Sequence, residues 1–266
     1  METPLPTPES QPDMPPPAQM SLAGRLMNIF AAPTEVFDDI KGAAPALANW
    51  LAPALILILL SLVTGWLIMS RESIQQQLRE ITSQAIERQV AQGKLSEQQA
   101  EQARVMGEKW AGIGVKVSMS VYPVFVAFGG LFIWAGFLWL VGAVVWKADF
   151  TYMKAVEVVG LSNMVGVLEV LVKTLLILAL GNLYAAPSLV LLVKQFDPQN
   201  TLHALLALGN VMTLWILGVR AAGLARLTGR SFGKAAIWVY GIWLGYTGLF
   251  IGLGALMQAV FKRISG

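Results

Sequence analysis

The sequence predicts an all-α fold, a polytopic membrane helix bundle of about five transmembrane helices with a polar helical hairpin after the first. Three observations predict it. Of 266 residues, 56% belong to the hydrophobic set and only 13% are charged, against roughly 25% charged in an average soluble domain. The mean hydropathy is +0.61. Uncharged apolar runs long enough to cross roughly 30 Å of hydrocarbon recur along the chain. A soluble domain of this length needs far more charge to cover its surface. The absence of cysteine excludes disulfide frameworks, thiolate nucleophiles and cysteine-ligated metals.

Residues 1–20, METPLPTPESQPDMPPPAQM, hold seven prolines and read as a disordered tail with polyproline character. They have neither the basic start nor the apolar core of a secretory signal. Residues 21–48 read as amphipathic interfacial helices. Leu22, Leu26, Ile29 and Phe30 recur at helical spacing. Pro33 interrupts, and Val36, Phe37 and Ile40 repeat the pattern while Glu35, Asp38 and Asp39 face away. Such pieces before a span either lie in the membrane interface or pack as a lid on the bundle.

The membrane domain is assigned to 49–261. Its first span, 49–69, is uncharged, with Trp50 and Trp66 near its ends as interfacial aromatics. A polar insertion follows at 70–118, with seven basic and six acidic residues. Ile74, Leu78, Ile81 and Ala85 mark an amphipathic helix. Gly93 breaks it, and Ser96 with Gln99 forms a capping box that opens a second helix. The near balance of charge suits a solvated hairpin better than a polybasic lipid-binding arm. The second span, 121–146, carries no charge.

The third span, about 156–181, is unusual in containing Glu157, Glu169 and Lys173. Glu169 and Lys173 stand at i and i+4 with the acid first, the favourable order for a pair. A lone charge at mid-membrane costs roughly 2.5–3.5 kcal/mol or more, and pairing offsets much of it. The pair reads either as part of an ion or substrate path or as a self-neutralised structural element. Asn163 on this span and Asn210 on the next read as interhelical hydrogen-bonding groups. A break is expected at Gly181-Asn182, then an amphipathic or re-entrant piece bent at Pro187.

The fourth span is placed at 203–225 and the fifth at 235–260. Between them lie Arg220, Arg226, Arg230 and Lys234 with no acid, a basic loop that marks the cytoplasmic face. The short loop with Lys147 and Lys154 reads as cytoplasmic too. Five spans then put the N-terminus inside and the C-terminus outside, although Arg71, Lys262 and Arg263 fall outside against the trend. In the fifth span Gly241, Gly245, Gly248 and Gly252 share one helical face in the stretch GIWLGYTGLFIG. Both flanks are apolar helix, so a phosphate-binding loop is excluded. The stripe reads as a helix-packing seam, within the bundle or against a second copy.

No catalytic residue, cofactor motif or metal set emerges. His203 is the only histidine, and one histidine without cysteine makes no metal site. No serine sits in a nucleophile elbow. The net charge of +3 is a topology signal, and no basic patch interleaved with exposed aromatics points to nucleic acid.

Three stretches carry a family resemblance in chain order. FAAPTEVFDDI (30–40) resembles the entry motif of bacterial members of the Yip (Ypt/Rab-interacting) family. KLSEQQAEQARVMGEK (94–109) is similar to their polar helix after the first span. LWILGVRAAGLARLTGRSFGKAAIWV (214–239) looks like their fourth-span, basic-loop, fifth-span signature. The resemblance covers about 21–261. It implies a five-span integral membrane protein without known catalysis, whose eukaryotic relatives act in vesicle trafficking through partner binding and membrane shaping and some of whose bacterial relatives occur with ABC-type export systems. The expected role is a non-enzymatic adaptor or accessory subunit in the inner membrane. Its expected partners are the lipid bilayer and other membrane proteins, an ABC-type exporter among them, with self-association left open. The alternative is a small transporter or channel with a polar path around Glu169 and Lys173.

Overall fold

In hydrocarbon every backbone N–H and C=O must be satisfied within its own segment, so each apolar run closes into a helix. The computed structural model describes residues 19–264 apart from 195, 198 and 199. The proline-rich tail, up to residue 18, and the side chains of Lys262 and Arg263 lie outside the described residues. Among the described residues there are nine α-helices and no strand: α1 Leu22–Asn28, α2 Pro33–Lys41, α3 Ala48–Met69, α4 Glu72–Ala91, α5 Glu97–Trp139, α6 Tyr152–Leu180, α7 Thr201–Leu208, α8 Val211–Thr228 and α9 Phe232–Ile264. Five stretches are long and apolar enough to cross a membrane: 48–69, 120–145, 152–180, 211–228 and 232–254. The chain is therefore a multi-pass membrane helix bundle.

Local chemistry sets the helix ends. Ser21 accepts from Gly24 N to cap α1, and Pro33 opens α2 at the position where a missing N–H costs nothing. Val36, Phe37 and Ile40 of α2 are fully buried. They pack on the end of the bundle, where the Phe37 ring lies over Gly223 of α8. The two short helices thus pack as a lid on the bundle. Asp39 does not face away: its carboxylate pairs with Arg25 at 2.7 Å, and both side chains are nearly buried.

The polar hairpin forms with the expected turn. Ser96 accepts from Gln99 N, while Gln99 Oε1 accepts from Ser96 N, a complete capping box. The second arm does not end before the membrane, however. α5 runs without interruption for 43 residues, about 64 Å at 1.5 Å per residue. Residues 97–119 therefore stand about 34 Å beyond the span that begins at 120. Leu140–Val145 then form a π-helical turn, and Lys147 at φ 54° turns the chain back.

α6 is the central post, with α3, α5 and α8 packed along it. Two glycines permit the closest approaches. A side chain at Gly160 would collide with Trp50 Cα and Cβ on α3, and one at Gly223 with Val158 on α6. In lipid, where helices gain mainly dispersion contacts, such close backbones hold a bundle together.

Three boundaries differ from the sequence reading. The third span begins at Tyr152, so Lys154 belongs to its first turn instead of a loop, and is only 6% exposed. The fourth span is not one helix over 203–225: the chain turns at Gly209-Asn210, and Asn210 caps α8 by accepting from Met212 N and Thr213 N. α8 then continues to Thr228 and ends at Gly229. Arg220 consequently lies inside the membrane helix, 7% exposed, and not in a basic loop. Arg226, Arg230 and Lys234 are exposed near the 229–231 turn.

The molecule has two chemically distinct ends. At one, α2, the 147–151 turn and the 229–231 turn meet, with Lys154 Nζ donating to Ile40 O (2.6 Å) and Arg226 3.5 Å from Asp38. At the other, α4 docks on the 181–200 connection: Gln77 Oε1 accepts from Leu183 N, and Arg88 lies 3.8 Å from Asp197. Ile74, Ile177 and Ala185 form a small apolar cluster beneath.

Candidate functional site

The most densely bonded polar cluster closes the lid end of the bundle. Glu157, in the second turn of α6, has no exposed surface. Its Oε1 accepts from Asn49 Nδ2 (2.6 Å) and from the Ala46 backbone N–H (2.9 Å). Its Oε2 faces Lys154 Nζ at 2.7 Å. Asn49 passes the chain outward, its Oδ1 accepting from Arg25 Nη1 at 3.1 Å. Arg25 Nε donates to Asp39 Oδ2, and Asp39 Oδ1 accepts from Met20 N (2.9 Å). Two cations face two carboxylates, so the cluster is neutral. Each charge has hydrogen-bonded partners, which is what makes burying it tolerable. The network ties α1, α2, the start of α3 and the start of α6 into one body.

Sequence reasoning noted Glu157 only as an oddity of the third span and missed Arg25 and Asn49. The usable signals were Asn49 at the mouth of the first span and the i, i+3 spacing of Lys154 and Glu157.

The expected intramembrane groups are placed as follows. Asn163 Oδ1 accepts from Arg220 Nη2 at 3.0 Å. Asn210 Nδ2 donates to Glu169 Oε1 at 2.6 Å. Glu169 and Lys173 are not paired: no ion pair joins them among the described residues, and Lys173 is exposed. The i, i+4 spacing makes a pair available, but the short amide at the start of α8 reaches Glu169, while Lys173, seven residues before the end of α6, extends outward. His203 is held locally, its Nδ1 accepting from Asp197 N (3.0 Å) and its ring stacked on Phe196.

Among the described residues, nothing packs against the four glycines of α9. A Cβ at Gly241, Gly245, Gly248 or Gly252 would meet nothing within 4 Å. At 3.6 residues per turn these four lie opposite Val239 and Trp243, which are the residues that pack on the bundle. Among the described residues, then, the stripe faces away from the bundle. Replacing Gly245 and Gly248 together with alanine is expected to leave the thermal midpoint of the detergent-solubilised chain unchanged or slightly raised. Each change gains up to about 1 kcal/mol of helix propensity with nothing to collide with.

The class these features define is a multi-pass bundle with a buried polar clasp over one end and a polar helical arm at the other. The Yip1 domain family model matches residues 27–255, most of the chain, and the protein belongs to the Yip family of integral membrane proteins. No curated protein matches the chain, and no solved structure does. The matched range takes in α2, the arm and all five apolar stretches, so each expected motif lies within it.

Proposed function

We propose that the chain is a non-enzymatic adaptor or accessory subunit that recruits a partner in membrane organisation, trafficking or export. The observation that carries the reading is the arm. α5 continues about 34 Å beyond its span, with α4 packed beside it. Among its described residues the outward apolar side chains are Val105 and Met106, 58% and 57% exposed beside Arg104 and Glu101, and Val117 close to the span. A rigid rod with an apolar step among charges suits a protein partner, since apolar anchors within a polar rim are the usual form of a binding hot spot. Family membership agrees with a role in trafficking.

The orientation that supports this reading puts the lid end in the cytoplasm of an inner-membrane protein. Arg226, Arg230, Lys234 and Lys147 gather there, and cations near span ends favour the cytoplasmic side. The arm then lies on the opposite face. A polar path around Glu169 and Lys173 has less support, because Glu169 is bonded to Asn210 and Lys173 extends away.

The test is co-purification from crosslinked native membranes. A protein captured in stoichiometric amount by the wild-type chain is expected to drop at least about tenfold with Val105→Glu and Met106→Glu together, given 1–2 kcal/mol per truncated anchor. An unchanged capture would remove the arm from the interface.

A further inference from the structure

Arg220 is a charge the fold leaves underused. It sits midway along α8, about 12–14 Å from either end. Asn163 Oδ1 accepts one of its five N–H bonds. The Trp134 ring lies 4.6 Å from the guanidinium carbon. Nε is buried without any hydrogen-bond partner. Among the described residues no carboxylate is placed to pair with it. The contrast with Arg25, met by Asp39 and Asn49, is within the same molecule. Arginine cannot shed its charge as a buried lysine can. A mid-membrane guanidinium therefore needs an oxyanion, and a planar fork matches phosphate best.

The surroundings indicate where that oxyanion enters. α6 and its Asn163 occupy one side. α9 packs along α8, whereas its approach to α5 is made by rings and not by close backbone. Trp134 meets Tyr246 edge-on at 6.0 Å, and Trp146 meets Trp238 at 6.5 Å. Tyr246 is only half-buried. Rings turn about side-chain bonds far more readily than helices separate, so this seam is the movable wall beside Arg220. α8 is also the shortest and least apolar of the five stretches, 18 residues at a hydropathy of 1.3. Its length of about 27 Å is below the hydrocarbon thickness. A short span thins the bilayer around it and brings headgroups closer.

We propose that Arg220, with Asn163 and the Trp134–Tyr246 pair, binds the phosphate of an anionic phospholipid that enters laterally between α5 and α9. This site is independent of the arm and of the adaptor reading.

The test uses the full chain in mixed micelles of phosphatidylglycerol and phosphatidylcholine, with native mass spectrometry counting retained lipid. The wild type is expected to hold phosphatidylglycerol preferentially. Arg220→Gln, which keeps a polar amide and removes a buried charge, is expected to bind it about tenfold more weakly, the scale of removing one charge-assisted hydrogen bond. Arg230→Gln on the exposed turn is expected to behave as wild type. Equal retention by Arg220→Gln, or displacement of the lipid by inorganic phosphate, overturns the proposal. A second measurement needs no variant. A phosphatidylglycerol with a photoreactive group near its phosphate is expected to label residues 131–139 and 239–250, and labelling confined to other helices overturns the proposal equally.

Discussion

Replacing Glu157 with alanine will free the N-terminal helices from the bundle. The substitution removes the acceptor of Asn49 Nδ2 and of the Ala46 N–H, and leaves the Lys154 ammonium, which keeps only Ile40 O, without its counter-charge. Removing one partner from a buried ion pair typically costs about 3–5 kcal/mol, because the other charge stays buried and uncompensated. The loss should appear first where the network leads. Arg25 is 9% exposed in the intact protein and so is shielded from trypsin. In the variant, cleavage after Arg25 and faster amide exchange across 22–41 are the expected results. Glu157→Gln should be milder, because an amide can still accept from Asn49 but leaves the Lys154 ammonium unpaired. If Arg25 stays protected in Glu157→Ala, the network does not hold the lid.

Placing valine at Gly160 will separate α3 from α6. The new Cβ falls on Trp50 Cα and Cβ, and backbone cannot swing aside as a side-chain tip can. Overpacking of a tight core costs about 1–3 kcal/mol, and here the helix as a whole must shift, which sets the expectation at or above the upper end. Thermal unfolding in detergent should show a clear drop in midpoint. Gly166→Ala on the same helix supplies the comparison, because nothing lies within 4 Å of that position. It should be neutral or slightly stabilising. Equal effects at the two positions would mean that the α3–α6 approach is not what the glycine serves.

The two variants also mark what the sequence made legible. Spans, the Ser96–Gln99 capping box and the Pro33 entry into α2 are local, so their chemistry sits within a few residues. Glu157 and Asn49 are 108 positions apart, and no periodicity links them. Arg220 misled for a different reason. It stands near a basic loop in sequence, and only the continuation of α8 to Thr228 puts it inside the bundle. Glu169 and Lys173 show that spacing provides an opportunity and not a contact, since Asn210, across a chain turn, reaches the carboxylate. The glycine stripe was legible as a smooth face, but which side of α9 met the bundle depended on Val239 and Trp243.

If the α5 arm is a partner-binding rod on a membrane-anchored body, a photocrosslinking amino acid at position 106 in the native membrane should report it most directly, with position 175 on α6 as comparison. Leu175 is 67% exposed and within a membrane-crossing helix, so it should yield lipid adducts. Position 106 is expected to yield one recurrent protein adduct that position 175 does not. Lipid adducts or none at position 106, with lipid adducts at 175, would contradict a partner-binding arm.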